Sequence, residues 1–207
     1  MADADPRDAS FCAAQEAIDF GPPDFAIRTV DGVNRYLEYL LSLLAGAEVL
    51  LENGHFHLAA FAAITAIEET SRAHLSAFRK ADAVRKKGRD PLRNHAEKQK
   101  AAMAVVFMGQ RMHEVFGGEE GAQEFHRKIN SGYFNEIREK SLYCFASGDS
   151  FIRPTDFVDL EMARNIVLVA IETADDTFCG LTDDSYEVSK SFDAMFARVR
   201  SQEPSSV

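Results

Sequence analysis

A chain of 207 residues with 46% apolar and 27% charged residues is long enough to bury a core as one domain, and its composition is that of an ordinary globular protein rather than a disordered one. No apolar run reaches the ~18 residues of a membrane span. The acidic start "MADADPRDAS" lacks the features of a signal peptide, and the three cysteines (Cys12, Cys144, Cys179) are odd in number and widely spaced. Reduced thiols and a cytoplasmic location are therefore expected, with no membrane contact, disulfide framework or cysteine zinc site.

The net charge of −10 argues against nucleic acid only until its distribution is considered. Residues 79–100, "RKADAVRKKGRDPLRNHAEKQK", hold nine Lys/Arg against three Asp/Glu, so the rest of the chain carries −16. Such a segment is either a solvated helix end or a local phosphate-binding edge on an acidic body.

In chain order, residues 1–30 contain "GPPDF" and little periodicity, and read as a loosely ordered arm. From Asp31, a plausible N-cap, "VNRYLEYLLSLLAGAEVLL" is helical up to the stop signal Asn53-Gly54. A second helix is expected from Phe56 to Lys87, ending before "GRDP", and a third from Leu92 to Phe116, ending at Gly117-Gly118. A shorter helical stretch covers 119–143, and "CFASGDSFIRP" reads as a small turn or hairpin near 144–154. Asp156 is placed to cap "FVDLEMARNIVLVAIETADDTF", and "SYEVSKSFDAMFARVR" forms a last helix before a frayed tail, 201–207. With strand signals almost absent, the expectation is an all-α protein. It is an up-and-down bundle over 31–200 as a single domain, with extra helices at the C-terminal end.

A helical wheel on the second helix puts Phe56, Ala60, Ile64, Ile67, Ser71, Leu75 and Phe78 on one apolar stripe. Glu68 falls on its flank with Arg72 one turn on, as an i, i+4 partner, while Glu69 faces water or another chain. On the third helix Ala102, Val105, Gly109, Met112 and Phe116 form the stripe, Lys98 lies in line with it and His95 on its edge. A buried ammonium is costly alone, so Lys98 needs a carboxylate from a neighbouring helix, and Glu68 is the natural candidate. The four groups Glu68, Arg72, His95 and Lys98 form either an ion-pair clamp or a polar site between helices.

Three stretches in order, "AEVLLENGHFHLAAFAAITAIEETSR", "HAEK" and "IREKSLYCFASGDSFIRP", resemble the AbiV-type abortive-infection proteins of the HEPN superfamily over roughly residues 40–155. The resemblance implies a HEPN-like helical bundle that dimerises with itself and a role in shutting down translation in phage-infected bacteria. It implies no cofactor. Many HEPN proteins are metal-independent endoribonucleases built on an arginine followed four to six residues later by histidine.

Such cleavage needs a base for the 2′-hydroxyl proton, a cation for the phosphorane charge and an acid for the leaving oxygen. A histidine, with its pKa of about 6.5, suits the base. At the position the resemblance points to, "REKSLY" has Tyr143 in place of that histidine. Tyrosine is ionised to about one part in a thousand at pH 7, so Tyr143 could hold a phosphate or give a proton but is a poor base. Along a continuous helix Arg138 and Tyr143 would also stand about 140° apart. "RDPLRNH" offers a second pair, Arg89 and His95, with Arg93 between them as a further phosphate contact. His95, Arg138, Tyr143 and Glu68 are thus the candidate catalytic residues. Arg72, Arg89, Arg93 and Lys98 are the candidates for binding RNA, either tRNA or mRNA.

Two rivals stand beside this reading. A carboxylate-bridged metal site would need two E-x-x-H motifs on helices; only Glu52–His55 has the spacing, and it straddles a break, so no metal ligands are assigned. A non-catalytic effector would instead bind a phage or ribosomal protein and arrest translation, with Glu68 and Lys98 structural. The 16 phenylalanines, at helical spacing, read as core packing rather than as a base-stacking platform.

Overall fold

Thr29, two residues ahead of the expected cap, starts the first helix. Its backbone is extended and its hydroxyl accepts the Gly32 N–H at 3.0 Å, which places Asp31 inside the first turn. There its carboxylate meets the positive end of the helix. The computed structural model describes residues 27–78, 94–100 and 109–202. Arg89, Arg93, most of the basic stretch, Cys12, most of the N-terminal arm and residues 203–207 lie outside these.

Helix α1 (Val30–Glu52) ends where Asn53-Gly54 predicts, with Gly54 at φ +76°, and α2 (Phe56–Phe78) returns beside it. Leu37, Leu40, Leu44, Ala47 and Leu51 of α1 pack onto Ala59, Ala60, Ala63, Ile64 and Ile67 of α2. Residues 95–100 are helical, but the expected third helix does not run on to Phe116 unbroken. Gly109 is extended (φ −75°, ψ 124°) and starts a separate short helix, α3 (Gln110–Val115), so it is no member of a helical stripe. The stretch expected as one helix over 119–143 is likewise two, α4 (Glu119–Asn130) and α5 (Tyr133–Lys140). Gly132, at φ +97°, makes the left-handed turn between them.

The predicted hairpin forms as β1 (Phe145–Ser147) and β2 (Ser150–Ile152), paired Phe145 with Ile152, Ala146 with Phe151 and Ser147 with Ser150. Gly148, at φ +59°, leads its two-residue loop. Asp156 does not cap the long helix that follows. Pro154 opens a short helix of its own, α6 (Pro154–Phe157), and Asp156 accepts the Arg153 N–H at 3.2 Å and its guanidinium at 2.7 and 2.9 Å. Asp159 caps α7 (Leu160–Phe178) instead, accepting the Met162 N–H at 2.8 Å. Thr182 caps α8 (Asp183–Ser201).

The fold is all-α, with this one hairpin as the sheet structure among the described residues. Four helices, α1, α2, α7 and α8, make the core. Nine consecutive residues of α7, Ile166 to Ala174, are buried, so this stretch is the centre of the bundle, with Glu172 and Thr173 as its polar members. The C-terminal helices therefore complete the bundle: α8 adds Phe192, Met195, Phe196 and Val199 to its core. Its Arg198 clamps Glu48 of α1 through two bonds of 2.7 and 2.8 Å. Helices α5 and α6 lie against α2. Cys144 and Cys179 are free and exposed, and no helix among the described residues is long and apolar enough to cross a membrane.

A polar group on α7 lies within the core. Arg111 of α3 reaches Glu172 of α7 at 2.5 Å, bonds Asp193 of α8 and lies 4.1 Å from the centre of the Phe196 ring. Burial pushes the Glu172 carboxyl up from its ordinary 4.5 to about 7; Arg111 opposes the rise, and Asp176 and Asp175 add to it. In the folded chain this carboxyl keeps its proton to higher pH than in the unfolded chain, so its contribution to stability is full below pH 4.5 and is lost as pH rises through about 7. At ~1.4 kcal/mol per pH unit, the unfolding free energy should fall by ~2–3 kcal/mol more for wild type than for Glu172→Gln between pH 5 and pH 8. Urea titrations at the two pH values check this; equal pH dependence in both proteins contradicts it.

Candidate functional site

An alanine- and isoleucine-rich helix spends a glutamate at position 68 because four groups from outside it converge there. Glu68 is only 4% exposed. Its Oε2 lies 2.5 Å from His95 Nδ1 and 3.2 Å from Lys98 Nζ. Its Oε1 accepts Gln99 Nε2 at 2.9 Å and lies 3.8 Å from Arg138 Nε. A carboxylate taken out of water costs several kcal/mol unless its oxygens are matched in this way. His95, Lys98 and Gln99 stand at i, i+3 and i+4 on the helical residues 95–100, which puts all three on one face. The Ser71 hydroxyl, one turn beyond Glu68 on α2, donates to the Lys98 carbonyl and fastens the two stretches together. Arg138 arrives from α5, its guanidinium 5.6 Å from the centre of the Phe61 ring of α2.

The four partners differ in access. The side chains of Lys98 and Glu68 are 9% and 5% exposed, whereas those of His95 and Arg138 are 41% and 29% exposed. The buried pair forms a floor, and the histidine and arginine are the groups open to solvent. An ionised carboxylate only accepts hydrogen bonds, so His95 Nδ1 carries the hydrogen toward Glu68 and Nε2 is the nitrogen available to take or give a proton. Against the single charge of Glu68 stand Lys98 and Arg138, so the site is net positive before His95 is protonated. That balance, beside a proton-exchanging imidazole, suits a phosphate anion.

The structure brings Glu68, His95 and Lys98 together as the sequence grouped them; Arg138, which the sequence paired with Tyr143, arrives in place of Arg72, and Gln99 joins them unforeseen. Gln99 could have been found from the same i, i+4 spacing that flags Lys98. Arg72 does not serve Glu68: its ion pair is to Glu69, at 3.5 Å. Glu69, expected to face outward, accepts the Tyr36 hydroxyl of α1 at 2.9 Å, and burial together with this carboxylate pushes the Tyr36 phenol well above its usual range. Tyr143 follows the end of α5 with its side chain in solvent, 68% exposed. A cleft of about 380 Å³ opens elsewhere, between α3, α4, α5 and α7, and shares no residue with the Glu68 cluster. Among the described residues no group of three or more His, Cys, Asp or Glu is arranged to hold a metal ion.

The HEPN_AbiV family model, described as AbiV, matches residues 29–174, a span that runs from the cap of α1 into α7 and includes every residue of the Glu68 cluster. No curated protein and no solved structure matches the chain.

The cluster makes a prediction about stability. Glu68→Ala leaves the Lys98 ammonium buried without its carboxylate, and the expected loss is ~3–5 kcal/mol of unfolding free energy. The double variant Glu68→Ala with Lys98→Met removes the stranded charge and should recover much of that loss. Denaturant unfolding of the three proteins is the check; a double variant no more stable than the single one contradicts the pairing.

Proposed function

The chain belongs to the AbiV family of HEPN proteins and so to the abortive-infection defence against phage, and we propose that it acts there as a metal-independent endoribonuclease with His95 and Arg138 as its working pair. The observation that carries this reading is the single buried carboxylate that holds both of them: Glu68 Oε2 at 2.5 Å from His95 Nδ1, and Oε1 at 3.8 Å from Arg138 Nε.

In this reading the scissile phosphodiester lies against Arg138, with the field of Lys98 beneath it. His95 Nε2 takes the proton of the adjacent 2′-hydroxyl, and the freed oxygen attacks phosphorus. Negative charge builds on the non-bridging oxygens and is met by guanidinium N–H donors fixed in advance by the fold. The bond from phosphorus to the 5′-oxygen then breaks, and that oxygen takes a proton from the Tyr143 hydroxyl or from water. The products are a 2′,3′-cyclic phosphate and a 5′-hydroxyl end. Glu68 acts as a positioning residue: it sets the tautomer of His95 and stabilises the imidazolium as it forms. Here the histidine comes from a separate helical stretch and not from the residues after Arg138, which is how a chain with tyrosine at position 143 can still present an arginine–histidine pair.

The test is incubation of the purified chain with total RNA and with tRNA, with and without EDTA. Cleavage insensitive to EDTA is expected, and His95→Ala or Arg138→Ala should slow it by ~100-fold or more, the usual scale for loss of a general base or a charge-stabilising donor. A folded wild-type chain that leaves RNA intact rejects this reading and favours the alternative, an effector that arrests translation through a protein partner.

A further inference from the structure

The phenylalanines of this chain read as core from their helical spacing, yet Phe151 is 70% exposed. It sits in β2 opposite Ala146, and side chains alternate along a strand, so it stands on the face of the hairpin away from Phe145 and Ile152. That inner face is anchored. Phe145 meets Phe157 edge-on at 5.6 Å, and the Lys140 ammonium lies 4.7 Å from the centre of each ring. The outer face carries Phe151 with nothing over it, and the approach to the hairpin adds two more exposed side chains, Leu142 at 41% and Tyr143 at 68%. A lone exposed apolar residue needs no explanation; three within ten residues, on a hairpin held rigidly from behind, do.

The place of the hairpin says what they face. It joins α5 to α6, and both of these helices pack on α2, the helix that carries Glu68. Arg138 is on α5, five residues before Tyr143. Tyr143 therefore follows Arg138 closely along the chain, and Phe151 stands on the hairpin that comes next. The cations of the hairpin itself are spoken for: Lys140 pairs with Glu136 at 2.5 Å and Arg153 with Asp156 at 2.7 Å. A ligand here meets aromatic faces and neutralised charge, and Arg138 lies on the helix that leads into the hairpin.

We propose that the hairpin is a stacking platform for single-stranded RNA, with Phe151 holding an unpaired base while a phosphate of the same strand lies at Arg138. This rests on the ribonuclease reading and specifies its substrate. Proteins that hold single strands combine a cationic track for the backbone with aromatic rings for the bases, and the stacking is tolerant of sequence because every base has a π-face. A duplex hides those faces, so the platform selects unpaired regions: loops, ends and anticodon-like stretches. The division of labour also separates two dependences on salt. Phosphate contacts weaken as salt rises, whereas stacking on Phe151 does not.

The experiment uses the full chain and a short RNA carrying 2-aminopurine, with 2′-O-methyl groups throughout to prevent cleavage, read by anisotropy and by 2-aminopurine emission. Wild type should bind the single strand with quenched emission and bind the same sequence in a duplex far more weakly. Phe151→Ala should weaken single-strand binding ~10-fold with an unchanged slope against salt and no quenching, and Phe151→Trp should restore both. Phe151 is largely exposed, so its variants keep the fold. Equal affinity and quenching in Phe151→Ala overturn the platform, as does a wild type that does not bind the single strand. Binding through Phe151 by a protein that leaves unmodified RNA intact sustains the platform and rejects the ribonuclease reading, so the two fail separately.

Discussion

The buried carboxylate of Glu68 is the interaction on which the rest of the site depends. It is the point where α2, the helical residues 95–100 and α5 are tied together, and each supplies a different group to it: imidazole, ammonium and amide from the second, guanidinium from the third. None of these could be moved alone. Without the carboxylate, Lys98 would be a desolvated cation and the face of residues 95–100 that meets α2 would be left with the Ser71 hydroxyl bond to the Lys98 carbonyl as its polar tie among the described residues. Buried ion pairs seldom add much net stability over apolar packing, because desolvation consumes what the attraction returns. What they do fix is register, and here register decides which nitrogen of His95 is left for chemistry.

A clamp and an active site are therefore not competing descriptions of the same residues. The floor, Glu68 with Lys98 and Gln99, is closed to solvent and forms a structural network in which Gln99 Oε1 alone of the Gln99 amide atoms is left without a hydrogen-bond partner. The rim, His95 and Arg138, is partly open and is held by that floor at defined positions. Preorganisation of this kind is what makes fixed donors effective on a developing charge, since they need not reorient when it forms. A site built only of exposed side chains would lack it.

How much of this was legible in the sequence follows from what each feature depends on. The helix pair α1–α2 and the break at Asn53-Gly54 were readable because periodicity and a left-handed glycine stop are local signals. The pairing of Lys98 with a carboxylate was readable for a different reason: an ammonium in line with an apolar stripe poses a problem that only a carboxylate solves. The misplacements all turn on tertiary or near-degenerate choices. Asp156 and Asp159 are three residues apart and both can cap; Pro154 starting its own turn decides between them. Gly132 and Gly109 break helices that periodicity alone would carry through. Glu69 looked outward on a wheel, but a wheel cannot show Tyr36 arriving from α1, and once Tyr36 holds Glu69, Arg72 follows it. The Arg111–Glu172–Asp193 group joins three elements through single residues with no pattern to mark them.

The same geometry explains why the proposed site sits at the edge of the bundle and not in its centre. The stretch Ile166–Ala174 of α7 is buried, so a reactive group on it, such as Glu172, meets the protein, and its raised pKa reflects packing rather than readiness for a substrate. Helix α8 lies beyond the region that the AbiV family model matches, yet it covers α7 and locks to α1 through Arg198 and Glu48. Its contribution is to complete the rigid body from which α2 presents its other face. On that face the chain can place polar groups because α5, α6 and the residues around His95 form a partial second layer, deep enough to bury a carboxylate and shallow enough to leave an imidazole and a guanidinium in reach. A full layer would seal the site, and none at all would leave Glu68 in water, where its hold on His95 would be weak.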